Sequence, residues 1–525
     1  MRKYIFILLG MLLAFSLPSG RLVAQTQDSV HVTNGVRTAE SVAAESVAAN
    51  ADIAATLQQD SLQQSSMTET SSENLASVSN KENNPFKVIL EQRTFTFNIW
   101  SIVKGIFGMA VILFIVWIFS CNRKKVNWGT VFKALALQLI IALSVLLFPA
   151  VQSAFEIFGK CFVAVLGWTR AGSEFLFGDL VDLNKFGYIF ALQILPTIVF
   201  FSSLTSLFFY LGILQKIVWV MGWCLTKLMK LSGAESLSCA GNIFLGQTEA
   251  PLLVKEYIPK MTKSELMLVM TAGMATMAGG VLAAYIGMLG NGDRALEVEF
   301  AKHLLSASVM AAPGAIAIAK ILYPQDEKID NSVEVSQEKI GRNILDAITN
   351  GASDGLKLAA NVAAMLLVFY ALIAGFNYIF LKIGDWTTLN NLIASATDGR
   401  YSSLSLEFLL SYLFYPVIWV TGVPAADIAP IGRLLGEKLI LTEFVGYQSL
   451  ADMIKEGIFS SPKSIIMATY ILCGFANFAS VGIQIGGIGG IAPNKKSILS
   501  SFGFRALFGA SMVALTSATM IGMFM

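Results

Sequence analysis

The chain of 525 residues is 55% hydrophobic and only 14% charged, with a mean hydropathy of +0.65. A water-soluble globular surface does not tolerate such values, so the composition indicates a protein whose solvent is a lipid bilayer. The formal net charge of +2 gives no basic field for nucleic acid. Two histidines, together with five cysteines that lack metal-ligand spacing, disfavour a His-ligated metal centre and a Ser/His/Asp triad.

The N-terminal region divides into an export signal and a polar tail. Arg2 and Lys3 precede the apolar run 4–17, and small residues follow, so residues 1–25 are predicted to form a signal peptide; an uncleaved anchor is the alternative. Residues 26–90 are rich in Ser, Ala, Gln, Asn, Thr and Glu. They have too few large apolar side chains to build a core, which predicts a disordered extracytoplasmic tail.

From residue 95 onward, apolar segments of roughly 20 residues, the length that spans a bilayer, repeat to the C-terminus. We predict an all-α integral membrane protein with eight transmembrane helices, at 99–119, 131–148, 186–213, 265–289, 304–323, 356–380, 464–488 and 506–525.

The basic residues predict the orientation of these spans. They cluster after the first span, between the third and fourth, and after the seventh, at Arg123, Lys124, Lys125, Lys216, Lys227, Lys230, Lys255, Lys260, Lys263, Lys495 and Lys496. All fall on one side if the spans alternate, and that side is expected to be cytoplasmic. The tail and the C-terminus are then extracytoplasmic, as the signal peptide also requires, in a protein of the bacterial inner membrane.

Two apolar segments are interrupted by Gly, a carboxylate and, in the first, Pro. Residues 241–251 contain Thr248 and Glu249, and residues 436–444 contain Thr442 and Glu443. Each precedes a long span interrupted by Gly, which suggests an inverted repeat of two re-entrant hairpins and broken helices, with a polar site near the bilayer midplane. We therefore divide the membrane part into a scaffold segment, 95–230, and two halves of the transport repeat, 231–350 and 351–525.

The carboxylates of Glu249 and Glu443 are the strongest candidates for a functional site. Facing lipid, the two would cost roughly 5 to 7 kcal/mol together, so they must face protein, water or a ligand. Pairing with a neighbouring Lys is the structural alternative. The glycines around Gly486 lack the features of a phosphate-binding loop, so transport is expected to draw on an ion gradient.

Polar side chains near these segments could complete the site. Asn477 and Ser480 lie in a Gly-rich span that can unwind locally, although a helix-helix seam has the same composition. Gln247 and Thr248 suit a planar heterocycle, on which Val281 or Phe475 could pack. The neutral oxygens of Asn242 and Thr276 could hold a small hard cation, or make ordinary interhelical hydrogen bonds.

At these residues the sequence resembles the concentrative nucleoside transporter family, which includes bacterial Na+/nucleoside symporters. The resemblance covers residues 99–525, and its strongest parts are Asn-Ile-Phe-Leu-Gly-Gln-Thr-Glu-Ala-Pro at 242–251, Met-Thr-Lys-Ser-Glu-Leu at 261–266 and Cys-Gly-Phe-Ala-Asn-Phe at 473–478. It implies eight spans with two re-entrant hairpins, a homotrimer in the lipid membrane, and an elevator-type movement of each transport domain.

The same resemblance implies the roles of individual residues. Gln247, Thr248 and Glu249 would face the base, with Val281 and Phe475 packing nearby, and Glu443, Asn477 and Ser480 would take the ribose hydroxyls. Na+, the only cofactor implied, would be held by the side chains of Asn242 and Thr276 and by carbonyls such as those of Leu245 and Met277. Thr442 and Ala479 depart from the common family pattern, which leaves the sugar and base preference open.

Three other functions remain open on the residues alone. A proton-coupled nucleoside symporter would use Glu249 or Glu443 as the proton carrier. An intramembrane enzyme would use the two glutamates for acid/base work, but no nucleophile with a neighbouring base supports it, and we expect no enzymatic activity. A passive channel does not require the convergent set of polar residues.

Overall fold

The computed structural model describes residues 98–186, 189–330, 341–397 and 399–525. The predicted signal peptide and tail lie outside these residues. The described part consists of α-helices, short 3-10 helices and turns, and contains no β-strand. The predicted all-α class is therefore confirmed.

The helices of the first half are α1 (Ile99–Ile118), α2 (Trp128–Leu147), α3 (Pro149–Phe177), α4 (Leu183–Phe186), α5 (Phe190–Gln193), α6 (Leu195–Tyr210), α7 (Ile213–Met229), α8 (Gly233–Gly241), α9 (Lys263–Ala275), α10 (Gly279–Gly290) and α11 (Arg294–Leu322). Those of the second half are α12 (Ile344–Trp386), α13 (Leu389–Ala396), α14 (Leu406–Val420), α15 (Ile428–Ile440), α16 (Glu443–Lys455), α17 (Pro462–Leu472), α18 (Phe478–Ile491) and α19 (Lys496–Gly522). The 3-10 helices are Arg123–Lys125, Gly178–Val181, Ala250–Val254, Ile258–Lys260, Ala425–Asp427 and Pro493–Lys495.

Eight of these elements are long and apolar enough to cross a membrane: Ile99–Ile118, Trp128–Leu147, Pro149–Val181, Phe190–Tyr210, Lys263–Gly290, Arg294–Leu322, Ile344–Trp386 and Pro493–Gly522. Seven overlap predicted spans. The eighth, Pro149–Val181, was not predicted, because Glu156, Lys160, Arg170 and Glu174 interrupt its apolar sequence. The predicted span 464–488 is instead two shorter helices, α17 and α18, separated by a five-residue break at 473–477.

Helix α3 packs against the first turns of α11. Gly159, near its middle, lies against Val298 and Ala301 in the first turns of α11. Towards its other end Arg170 lines a small cavity together with Glu297. A helix of 29 residues is about 43 Å long. Its length is therefore sufficient to cross the hydrocarbon core of a bilayer, which is about 30 Å thick.

The core of the molecule lies around the broken helices. The apolar windows of Lys263–Gly290 and Arg294–Leu322 are 83% and 89% buried, whereas that of Ile344–Trp386, which contains α12, is 11% buried. Helix α12 contacts α6 through Gly351 and Gly355, where an added Cβ would lie 2.7 Å from the Cα of Ser203 and 2.8 Å from the Cα of Val199. This spacing of small residues is typical of close helix packing in membranes.

Local sequence explains where the central helices begin. Capping boxes precede α8 and α9: the side chains of Ser232 and Thr262 accept from the backbone N–H groups of Glu235 and Glu265, whose carboxylates bond back. Each glutamate thus helps to determine the residue at which its helix begins.

Candidate functional site

The two helix breaks lie directly against each other. The first is at 276–278, between α9 and α10, and the second at 473–477, between α17 and α18. Gly474 has a φ of +90°, and a Cβ on it would lie only 2.4 Å from the carbonyl oxygen of Ala275. Position 474 therefore requires glycine for two reasons, its left-handed backbone conformation and its close contact with Ala275. The contact joins the parts of the chain that carry the predicted Na+ and nucleoside ligands.

The Glu443 carboxylate lies buried at the start of α16 and accepts hydrogen bonds from two neutral groups. The Asn477 side chain donates to one carboxylate oxygen at 2.6 Å, and the Tyr285 hydroxyl donates to the other at 3.1 Å. The Oδ1 atom of Asn477 caps α18 by accepting from the backbone N–H of Ser480 at 2.8 Å. One amide side chain thereby fixes the acid and begins the helix that follows the break.

The loop after α8 reaches the same helix. Gln247 is buried and donates from Nε2 to the Oγ of Ser480 at 3.0 Å, whereas its Oε1 has no hydrogen-bond partner among the described residues. Thr248 is exposed and lies beside Gly487 of α18. Glu249 is also exposed, and its carboxylate accepts from the backbone N–H of Gly246 at 3.2 Å.

The predicted cation ligands lie between this loop and the first break. Asn242 is fully buried; its amide donates to the carbonyl of Ser238 at 2.9 Å, and its Oδ1 has no partner among the described residues. The Thr276 hydroxyl donates to the carbonyl of Ala272 at 2.8 Å, so its lone pairs remain available to a cation. Leu245 and Met277, whose carbonyls were predicted as ligands, are buried in the same region. Neutral oxygens of this kind are suited to a small hard cation.

The two predicted packing residues lie next to the breaks. Val281 is buried in the first turn of α10, and Phe475 is half-buried within the second break. The predicted residues thus come from five segments: the loop after α8, the first break with the start of α10, the start of α16, the second break, and the start of α18.

Three residues near the site were missed by the sequence analysis. Tyr285 bonds to Glu443 and stacks on Tyr447 with ring centroids 4.1 Å apart, and Lys438 donates to two carbonyls at the end of α17. Tyr285 is four residues after Val281, a spacing that puts both on one helix face and could have indicated it. A lysine inside an apolar helix is likewise a signal of function.

Comparison with known families accounts for most of the described chain. Residues 107–180 match the N-terminus model of Na+ dependent nucleoside transporters, residues 191–292 match a nucleoside recognition model, and residues 303–522 match the C-terminus model of the same transporters. The chain is 39% identical to an uncharacterized transporter of Haemophilus influenzae, across 81% of this chain and 98% of that protein. The chain belongs to the Na+ dependent nucleoside transporter family.

Other similar proteins support the same family assignment. The chain is 36% identical to the nucleoside permease NupC of Helicobacter pylori, across 81% of this chain and 98% of that one. It is 38% identical to solute carrier family 28 member 3 of Rattus norvegicus, but spans only 58% of that longer protein. A structure of CNTnw in an inward-facing substrate-bound state matches with a TM-score of 0.73 and 35% identity, across 81% of this chain and 98% of that one. The predicted resemblance is confirmed, and these relatives are transporters rather than enzymes.

Proposed function

We propose that the transporter imports nucleosides across a bacterial inner membrane by symport with Na+. The observation that carries the proposal is the junction of the two breaks, where the Glu443 carboxylate, Asn477 and Ser480 lie together and Ser480 bonds to Gln247. The junction joins a buried acid to polar groups from both halves of the chain, which is the chemistry needed to hold a polar solute away from water.

The nucleoside would divide between two parts of the site. A carboxylate can accept hydrogen bonds from two ribose hydroxyls, and Glu443 is held by neutral donors that leave its charge available to them. The base would lie near Gln247, whose Oε1 is a free acceptor, and near Thr248 and Glu249. Val281 and Phe475 supply apolar surface for its faces.

Sodium would bind on the other side of the same loop. The Oδ1 of Asn242, the Thr276 hydroxyl and the carbonyls of Leu245 and Met277 are its proposed ligands. Residues 242–249 contain both the sodium-facing Asn242 and the base-facing Gln247. A cation that orders this loop therefore raises nucleoside affinity, and nucleoside raises Na+ affinity by the same factor.

The order of elements supports an internal repeat, which we propose to be inverted. In each half, a helical segment turns at a Thr-Glu pair and a broken span follows: α8 and its loop precede α9 and α10, and α15 and α16 precede α17 and α18. We assign the two turning segments as re-entrant hairpins of a transport domain that moves in an elevator-type cycle. Residues 95–230 would form the scaffold segment, ahead of the repeat halves 231–350 and 351–525.

The apolar outer surface supports assembly within the bilayer. Exposed large side chains of α12 include Leu367, Val368 and Phe376, in a helix of 43 residues whose length of about 65 Å exceeds the bilayer core. Lipid and two further copies of the chain, in a homotrimer, would cover this surface. The tail and the C-terminus would be extracytoplasmic.

Uptake of radiolabelled uridine and adenosine into proteoliposomes tests the proposed function. With an inward Na+ gradient we expect accumulation above equilibrium, and with neither a Na+ nor a proton gradient we expect none. Accumulation driven by a proton gradient alone would contradict Na+ coupling and assign a proton to Glu249 or Glu443. A lack of uptake under every gradient would contradict nucleosides as the substrate.

A further inference from the structure

Lys438 is a buried lysine whose hydrogen bonds go to backbone instead of to an acid. It lies in α15 with 0% of its surface exposed, and its Nζ donates to the carbonyl oxygens of Cys473 at 2.6 Å and Ile471 at 3.0 Å. The neighbouring acid, Glu437, is instead bonded to Arg433 at 2.6 Å. The hydrogen bonds of Lys438 are therefore directed at the end of α17, and its charge also interacts with the Glu443 carboxylate without a hydrogen bond.

The end of α17 needs such a partner because the helix stops in the middle of an apolar region. The last carbonyls of a helix have no partner within it, and water is not available in the hydrocarbon layer to supply one. A cation is favourable at this negative end of the helix dipole. Burying an ammonium group in a membrane protein is nevertheless expensive, and a neutral donor would satisfy the same carbonyls at lower cost. The charge at this position therefore calls for a functional explanation.

The second break is held by the α15–α16 segment at two points. On its N-terminal side, Lys438 of α15 bonds to Cys473; on its C-terminal side, Glu443 of α16 bonds to Asn477. Between the two points, Gly474 lies against the carbonyl of Ala275. Cys473 lies four residues before Asn477 in the same break. The contact of Lys438 with Cys473 therefore helps to set the position of Asn477 relative to Glu443.

We infer that Lys438 is a positioning residue for ribose recognition: it fixes the second break so that Asn477 and Glu443 present one hydrogen-bonding surface to the sugar. This inference rests on the proposed function, in which these two residues take the ribose hydroxyls. Lys438 itself does not touch the substrate. Its loss is expected to weaken recognition of the sugar and to leave the Na+ ligands at the first break intact.

The test compares Lys438→Met, an unbranched side chain one atom shorter that has no donor, with Lys438→Arg, which keeps charge and donors. Uridine uptake into proteoliposomes is measured at saturating Na+, and 3′-deoxyuridine is used as a competitor that lacks one ribose hydroxyl. Lys463→Met is the matched control, because Lys463 also donates to a main-chain oxygen, that of Met525 at 3.2 Å, but at the opposite end of α17 from the second break.

We expect Lys438→Met to raise the KM for uridine about tenfold, the effect of losing a charge-assisted hydrogen bond, and to change the inhibition constant of 3′-deoxyuridine by less than about twofold. The Na+ concentration for half-maximal uptake, measured at saturating uridine, should stay at the wild-type value. Lys438→Arg should recover part of the discrimination between the two nucleosides, and Lys463→Met should keep all of it.

Two results would overturn the inference: wild-type discrimination in Lys438→Met, or an equal loss for both nucleosides that Lys438→Arg does not repair, which indicates only a folding role. If Lys438→Met does not reach the membrane, Lys438→Leu, which likewise has no donor, replaces it, and an unchanged uridine KM there overturns the inference as well. Failure of the proposed function is seen separately, as absence of Na+-driven uridine uptake by the wild type.

Discussion

The two broken helices meet at one place but differ in how their polar groups are satisfied. Around the second break, both oxygens of Glu443 accept hydrogen bonds, Asn477 both donates and accepts, and Lys438 caps the preceding helix. Around the first break, Asn242 Oδ1 and Gln247 Oε1 are buried acceptors with no partner among the described residues. The side chains of Glu443 and Asn477 are therefore already held by hydrogen bonds, whereas those of Asn242 and Gln247 keep acceptors free for ligands.

This difference suggests that the two sets of residues contribute to binding in different ways. An unpartnered buried acceptor costs about 1 to 3 kcal/mol, and a bound cation or a base N–H removes that cost. Binding of Na+ at Asn242 or of the base at Gln247 therefore gains the most free energy. Glu443 and Asn477 instead offer the ribose a surface that is already ordered. Three substitutions test this comparison.

Glu443→Gln should have the largest effect. The amide presents a donor where Asn477 and Tyr285 also donate, and it accepts one fewer ribose hydroxyl bond, so the preassembled surface is lost. Loss of two charge-assisted bonds predicts that uridine uptake falls by about 100-fold or more while the protein is still expressed. Glu456→Gln, an exposed acid after the end of the same helix, is the control. Normal uptake by Glu443→Gln would remove Glu443 from the site.

Asn242→Ala should weaken Na+ binding near the first break. It removes the free Oδ1, so the Na+ concentration for half-maximal uridine uptake should rise about tenfold, with near-normal uptake at saturating Na+. The melting temperature should change little, because the substitution also removes an unsatisfied buried acceptor. Ser308→Ala, which removes a hydrogen bond to the carbonyl of Ile243 in the same loop, is the control. Unchanged Na+ dependence in Asn242→Ala would contradict the assigned ion site.

Tyr285→Phe should have the smallest effect of the three. It deletes the hydroxyl that bonds to Glu443 but keeps the ring that stacks on Tyr447, so Asn477 still holds the acid. The KM for uridine should rise about threefold to tenfold, with an unchanged Na+ requirement. Tyr378→Phe, an exposed tyrosine of α12, serves as the control. An effect as large as that of Glu443→Gln would mean that Tyr285, not Asn477, orients the carboxylate.

The predicted spans show which elements are readable from sequence. Seven of them overlap helices that are long and apolar enough to cross a membrane, because length and hydropathy are local properties of the chain. Helix α3 was missed because its charges are spaced along an otherwise apolar helix, and its packing against residues such as Val298 of α11 is a tertiary contact. The break in the predicted span 464–488 was suggested by Gly474 and the later glycines, but its limits were not.

The sequence by itself determined that the chain is a helical membrane protein, that Glu249 and Glu443 need protein, water or ligand around them, and that the family is that of nucleoside transporters. These conclusions follow from composition, from the cost of charge in lipid and from long ordered strings of residues. Only the tertiary structure decided that the two breaks touch through Gly474, that Tyr285 and Asn477 share the Glu443 carboxylate, and that Lys438 caps α17. Each of these contacts joins residues more than 30 positions apart, and nothing in the local sequence specifies such a pairing.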